Sequence, residues 1–394
     1  MMTPAITWLE PLRPSVPELG ETAWDRLCGL STDVTELVRD APTRPHPSRS
    51  KWLMQVRRTL AEQGHHPPPG ADASVWQILA QFCVGFHDLD LRDATGPGHG
   101  AMILNEAGER TASVWRGRLQ QGDLVGIAAT ERHGGSRIRE ITTSAVRQDG
   151  RWRLRGEKCW VSRLAEASGF VVFFRAPEGS ITAAVVDASE PGLERELIEP
   201  LGLDGWSWGM LRLHDVPVDP ANDLLGPAGS GLDVFRRHFG RFRPLVTATA
   251  LGTAAGVHTF VTDSLAAACR SGTLRRVRDN ALIMLGRTYA EINAALLAAI
   301  SANRLASAGH PSADLVSRTG KAMGVDIAYQ ATADLAPLLG ARGFQRISPI
   351  AKARGDLTAL LYADGIHDTL YRAGGIELIE RSFHPGFHVN PSVR

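Results

Sequence analysis

The sequence predicts an α+β fold in three consecutive parts: helices over residues 1–121, a β-rich segment over 122–231 and a helical bundle over 232–394. Three observations carry that division. Proline-broken helical patches fill the first part, short β-prone runs between turn signals fill the second, and apolar residues at helical spacing run through the third. Length and composition agree, since 394 residues with 43% hydrophobic content supply a packed core for two or three domains and exclude a disordered or collagen-like chain.

In the first part, residues 23–39 and 52–63 read as helices, with proline-rich breaks at 42–47 and 67–69. His46, His65 and His66 sit among those prolines and read as loop. The second part holds β-prone runs at 124–129, 144–146, 152–154, 170–175, 181–186 and 210–213. Gln148-Asp149-Gly150 and Ala176-Pro177-Glu178-Gly179 have the composition of hairpin turns, so a small antiparallel barrel or sandwich is expected. In the third part Phe235, Phe239, Phe242 and Val246 step by four and three, and Leu282, Leu285, Tyr289, Ile292, Leu296 and Ala299 continue the alternation. Another seam runs through Met323, Ile327, Ala331, Leu335 and Leu338, and a last helix is expected over 357–381. Long helices at this spacing pack as a four-helix bundle.

Forty-three Lys and Arg against 42 Asp and Glu leave a charge of +1, which argues against a nucleic-acid partner. Cys28, Cys83, Cys159 and Cys269 form no CxxC pair, so no metal site and no disulfide framework is expected. The N-terminus lacks an export signal and no continuous apolar run approaches the roughly 20 residues of a membrane span, so a cytoplasmic chain is expected. Charge is uneven, however: eight Arg and one acid, Asp263, fall between Arg236 and Arg278. A solvated helix face would account for that excess, as would an anchor for a phosphate or a docking face for an acidic carrier protein.

Two motifs carry the chemistry. In Ile127-Ala128-Ala129-Thr130-Glu131-Arg132-His133-Gly134-Gly135-Ser136 a strand runs into a glycine turn whose backbone N–H groups can face anionic or carbonyl oxygens, flanked by the Thr130 and Ser136 hydroxyls. Gly156-Glu157-Lys158-Cys159-Trp160-Val161-Ser162 then offers a broad ring and a hydroxyl two residues apart. Further on come Asp215-Val216-Pro217-Val218, Phe242-Arg243-Pro244, Leu339-Gly340-Ala341-Arg342-Gly343-Phe344 and Leu361-Tyr362-Ala363-Asp364-Gly365. These six segments, in this order between about residues 122 and 381, resemble the acyl-CoA dehydrogenase superfamily.

The resemblance implies an N-terminal helical domain, a central β domain and a C-terminal four-helix bundle, with FAD as cofactor. It implies that Thr130, Gly135 and Ser136 hold the flavin ring and pyrophosphate, that Trp160 lies against the isoalloxazine and that Ser162 reaches its N5 edge. Arg270 and Arg342 would contact the rest of FAD, Arg270 across a two-fold interface, which implies a homodimer or homotetramer. Asp364 stands where the family's Glu takes the α-proton of an acyl thioester, carried on CoA or on an acyl carrier protein, and is one methylene shorter. Phe242, Arg243 and Gly365 would face the substrate, and Phe242 occupies the place where other subfamilies carry an alternative catalytic Glu. The expected activity is therefore oxidation of an acyl thioester to the α,β-unsaturated product. A flavin monooxygenase on the same fold, which needs no such base, and a catalytically silent carrier-docking protein are the alternatives.

Overall fold

A computed structural model describes residues 2–42, 46–345 and 347–383; the expected proline break at 42–47 lies partly outside them. The N-terminal part contains helices α1 (Pro4–Leu9), α2 (Gly20–Leu37), α3 (His46–Glu62), α4 (Ala73–His87) and α5 (Glu109–Gln120). Asp72 caps α4 by accepting from the backbone N–H groups of Ser74 and Val75. Helix α4 is buried on nearly all sides and carries no polar face, so sequence periodicity gives no sign of it.

Seven strands follow: β1 (Val125–Ala128), β2 (Ser144–Gln148), β3 (Arg151–Ser162), β4 (Gly169–Arg175), β5 (Ile181–Asp187), β6 (Leu193–Ile198) and β7 (Trp208–Val218). They form one curled sheet in the order β1-β4-β2-β3-β7-β6, with β5 also on β4. The pairing of β1 with β4 is parallel, where an all-antiparallel barrel or sandwich was expected. Phe170, Val172 and Phe174 of β4 point into one core and Val171 and Phe173 into the other, so this strand reads as an unbroken apolar run. Asp149 and Gly150, both at positive φ, close the β2–β3 hairpin as their sequence foretold.

The C-terminal helices are α6 (Gly231–Arg270), α7 (Asp279–Ser307), α8 (Ala313–Leu335), α9 (Pro349–Leu360) and α10 (His367–Phe383). A single core joins residues of α1 to α4 with residues of α6 to α9. Helices α6 and α7 have the length and hydropathy of membrane spans, which a search for continuous apolar runs does not register; α6 is the mostly buried centre of the bundle. Pro244 sits thirteen residues inside α6 and cannot donate to the Gly240 carbonyl, and the Ser317 hydroxyl of α8 donates there instead at 2.7 Å. The expected helix over 357–381 is two helices, α9 and α10, interrupted at Asp364 and Gly365, whose φ angles are 58° and 112°.

Three further expectations change. On α7 the buried face is Ala281, Thr288, Ile292, Ala295, Leu296 and Ala299, while Leu282 and Tyr289 face outward. The seam thus keeps the expected Ile292, Leu296 and Ala299 but completes itself with small residues, which let the helices approach closely, in place of Leu282 and Tyr289. On α8 Met323 is likewise exposed. The arginine excess is not one patch, because Arg243 and Arg270 are separated by roughly 40 Å of helix at 1.5 Å per residue.

Candidate active site

One cavity of about 1290 Å³ opens between the sheet and the bundle. It exceeds the roughly 300–1,000 Å³ typical of a single small-molecule site, so it has room for a cofactor and a substrate together. Thr130, Gly134, Gly135, Ser136, Trp160 and Ser162 line it from the sheet; Arg243, Asp364 and Gly365 line it from the bundle.

On the sheet side the pairing of β3 with β7 shifts register between Lys158 and Val161, a bulge that puts Trp160 at φ 57°. Left-handed backbone is costly for a bulky residue, and here it leaves the indole 62% exposed on the cavity wall. Two residues on, Ser162 is buried, and the guanidinium of Arg163 donates to its Oγ. The Oγ thereby acts as an acceptor toward Arg163, which leaves its own proton free to donate. Arg163 is itself held by Asp93, with Nε 2.6 Å from Oδ2.

The glycine turn is built with equal economy. Gly134 has φ 105° and open space where a Cβ would stand, whereas a Cβ on Gly135 would lie 2.8 Å from the Thr130 hydroxyl oxygen. Beneath the turn, Glu131 accepts from the N–H and hydroxyl groups of both Thr142 and Thr143 at 2.7 to 3.0 Å and from Lys158 Nζ at 2.8 Å. Burial opposes ionisation of Glu131, but Lys158 and these donors hold its carboxyl down at about 2. Burial also lowers Lys158, to about 8, against the pull of Glu131.

On the bundle side two buried cations hold the segment that carries Asp364. Arg243 Nε donates to the Asp364 carbonyl at 3.1 Å. Lys321 Nζ donates to the carbonyls of Leu360, Ala363 and Gly365 at 2.7, 2.7 and 3.0 Å, satisfying the last carbonyl of α9 and two in the break that follows it. It also meets Nε2 of His367 at 3.0 Å, while His367 Nδ1 faces Asp326 at 2.6 Å. Burial lowers Lys321 to about 7. Asp364 Oδ1 stands 4.0 Å from Nδ1 of His99.

The structure thus gathers eight of the eleven residues singled out in the sequence around one cavity. Phe242 lies behind its wall, its ring 4.1 Å from that of His99. Arg270 and Arg342 are exposed and lie outside the cavity. Lys321, Arg163, Asp93, His99 and Arg92 were not anticipated, and each is a lone residue without a motif around it. The carboxylates of Asp88, Asp90 and Asp356 cluster closely enough to hold a metal ion, but Lys352 bridges all three and Arg49 adds a second cation. Among the cysteines, Cys83 and Cys159 are buried, Cys28 and Cys269 half-buried, and all four are free thiols.

Residues 126–216 match the model of the acyl-CoA dehydrogenase middle domain, and residues 229–371 that of the acyl-CoA dehydrogenase C-terminal domain. The chain belongs to the acyl-CoA dehydrogenase superfamily, a family of oxidoreductases. It is 26% identical over 264 residues to cyclohexane-1-carbonyl-CoA dehydrogenase of Syntrophus aciditrophicus, a match covering 64% of this chain and 66% of that relative. The fold is similar to that of glutaryl-CoA dehydrogenase from Mycobacterium smegmatis in complex with FADH2, at 21% identity, 93% and 98% coverage and a TM-score of 0.76. It is also similar to the prolyl acyl carrier protein oxidase AnaB, at 18% identity, 89% and 98% coverage and a TM-score of 0.73. Superfamily membership implies a flavin cofactor, and the exposed indole of Trp160 beside a turn that is open at Gly134 fits a flat ring and its pyrophosphate.

Proposed function

We propose that this superfamily member is an FAD-dependent dehydrogenase that oxidises an acyl thioester, on CoA or on an acyl carrier protein, to its α,β-unsaturated product. One observation carries the reading: the Asp364 carboxylate and the Trp160–Ser162 pair line the same cavity from opposite elements, bundle and sheet. A thioester between them can lose a proton on one face and a hydride on the other. When bound, the flavin supplies the two-electron acceptor for that hydride.

Asp364 is the general base for the α-proton. Asp tolerates left-handed backbone better than most residues, so its φ of 58° suits the shorter acid here. Arg243 and Lys321 position it by fixing the carbonyls of its segment. Trp160 forms the flavin platform, Ser162 directs a hydroxyl to the ring edge, and Thr130, Gly135 and Ser136 cradle the phosphate side. Arg270 and Arg342, exposed on one chain, are available to FAD held at a two-fold interface, and a homodimer or homotetramer follows from that reading.

The test is anaerobic bleaching of the purified protein's flavin by acyl thioesters. The wild type should bleach, and Asp364→Asn should bleach roughly 10²–10⁴-fold more slowly while still binding flavin and thioester. A wild type that never bleaches, yet consumes oxygen once its flavin is reduced externally, would overturn the dehydrogenase in favour of a monooxygenase. Light scattering that returned a stable monomer would remove the shared FAD site.

A further inference from the structure

The group that holds the Asp364 segment is itself held from outside the cavity. Lys321 Nζ has four acceptors within reach, the carbonyls of Leu360, Ala363 and Gly365 and Nε2 of His367, and an ammonium has three N–H bonds to share among them. His367, the first residue of α10, passes the contact on: its Nδ1 lies 2.6 Å from Oδ1 of Asp326, on the same helix as Lys321, and Tyr371 donates to Oδ2 of that carboxylate at 2.9 Å. None of Lys321, His367, Asp326 and Tyr371 lines the cavity. Lys321 is fully buried, whereas the Asp326 side chain is 46% exposed, so the network runs from the surface to the carbonyls on either side of Asp364.

This geometry fixes protons as well as heavy atoms. Nδ1 of His367 faces a carboxylate, which only accepts, so the ring proton sits on Nδ1 and Nε2 is left to accept from Lys321. Burial and the Lys321 charge both push His367 below the usual imidazole range, which keeps the ring neutral for that role. Without Asp326 the ring proton could settle on Nε2 and oppose the ammonium. The charged and titratable groups facing Lys321 are Asp364 in the break, Arg243 on α6, Asp326 on α8 and His367 on α10. Among the described residues no charged group of α7 or α9 shifts it, and α9 gives only the Leu360 carbonyl. Burial lowers Lys321 to about 7 and Arg243 acts the same way, while Asp364 and Asp326 oppose them. A neutral amine keeps two N–H bonds for four acceptors, so loss of the proton weakens the hold on the break.

We propose that, granted the dehydrogenase reading above, His367 and Asp326 are positioning residues for the base: through Lys321 they fix the backbone on both sides of Asp364, and the carboxylate is placed for the α-proton only while Lys321 keeps its charge. Flavin reduction therefore slows as pH rises through the range in which Lys321 loses its proton. The loss falls on kcat rather than KM, because the cavity walls that bind the thioester are untouched, and a misplacement of about 1 Å costs up to about 10²-fold. Asp326 is the place where the pair can be altered without opening the core. Asp326→Asn keeps an oxygen to accept from His367 Nδ1 and removes only the charge that supports Lys321.

The experiment reads the proton and the rate separately. The chain has four lysines, Lys51, Lys158, Lys321 and Lys352, so carbon-13 NMR of protein labelled at the lysine ε-carbon resolves Lys321, assigned by the signal lost in Lys321→Met. On the flavin-loaded protein that signal should titrate at about 7 in the wild type and lower by roughly half a unit or more in Asp326→Asn. Anaerobic bleaching is then followed from neutral to alkaline pH with whichever of butyryl-, octanoyl- and succinyl-CoA reduces the wild type fastest. Its kcat should fall along the Lys321 titration, and the fall should move to lower pH in Asp326→Asn and in His367→Phe while KM and flavin content hold. His367→Gln, which keeps an acceptor for Lys321, should stay close to the wild type. A Lys321 signal that stays charged well into the alkaline range, or that does not move in Asp326→Asn, overturns the control of Lys321 by the pair. A signal that moves while the kcat profile does not overturns the positioning role and leaves the dehydrogenase standing. A wild type that no thioester bleaches overturns the dehydrogenase and this role with it.

Discussion

Two buried polar clusters, one beneath the glycine turn and one around Arg92 and His99 on the cavity wall, differ in one respect. Glu131 and Lys158, beneath the glycine turn, are satisfied by each other and by four donors from Thr142 and Thr143. Arg92, His99 and His238, on the Asp364 side, keep four ring or guanidinium nitrogens without a hydrogen bond. A satisfied cluster is architecture: it ties the turn at Thr130 to residue 142 and to β3 whether or not a ligand is bound. An unsatisfied cluster weakens the protein that carries it.

The largest expected effect would break this contrast outright. Glu131→Ala strands the Lys158 ammonium in the interior, and removing one member of a buried pair costs about 3–5 kcal/mol. His238→Phe removes two unpaired nitrogens while keeping a ring to stack on Phe242, and should change stability by no more than about 1 kcal/mol, toward greater stability. Denaturant unfolding of the flavin-free protein measures both. Equal losses would mean that the histidine cluster is as structural as the turn.

A second difference shows in pH. Glu131 is held below its ordinary 4.5, at about 2, so its contribution is present above 4.5 and lost as pH falls through that window toward 2. His99 and His238 are held below 6.5, so the unfolded chain takes up protons first and stability falls as pH drops below 6.5; His87, lowered by burial to about 4, adds to the same step. Unfolding midpoints across the acid range should decline in two stages. His238→Phe should reduce the upper stage only, and Glu131→Gln the lower only.

A third expectation concerns the turn itself. Gly135→Ala places a methyl 2.8 Å from the Thr130 oxygen, and a shift of that hydroxyl should lower flavin affinity about tenfold, roughly one hydrogen bond's worth, with little loss of fold. Flavin titration by fluorescence quenching reads it directly. Unchanged affinity would separate Thr130 from the cofactor.

The same contrast explains what the sequence could tell. Thr130, Gly135 and Ser136 share one turn and Trp160 and Ser162 one bulge, so within each segment spacing along the chain sets spacing in space, and the Cys159 N–H to Thr130 carbonyl bond joins the two. The Asp364 side is assembled from residues 92, 99, 163, 238 and 364, which only the tertiary fold brings together, and a lone buried His or Arg carries no pattern. Strand β6 went unseen for another reason. Its Leu193-Glu194-Arg195-Glu196-Leu197-Ile198 lies at the sheet edge, and its charges serve to keep that edge from pairing with other chains. The helix break at Asp364 is marked only by the following glycine, because its cause is Lys321, forty-three residues upstream.

The smallest expected effect isolates backbone from side chain at Trp160. Its φ of 57° is a left-handed conformation that a Cβ disfavours by about 1–2 kcal/mol and a glycine does not. Trp160→Ala and Trp160→Gly both remove the indole, so both should lose flavin to the same extent. They should differ in the flavin-free protein, where the glycine variant is expected to be about 1 kcal/mol more stable than the alanine variant, because alanine keeps the strained geometry and glycine releases it. Equal flavin loss with that stability gap would show that the bulge holds a costly conformation only to present the ring. Equal stability would mean that the bulge relaxes once the indole is gone, and that the indole sets the backbone rather than the reverse.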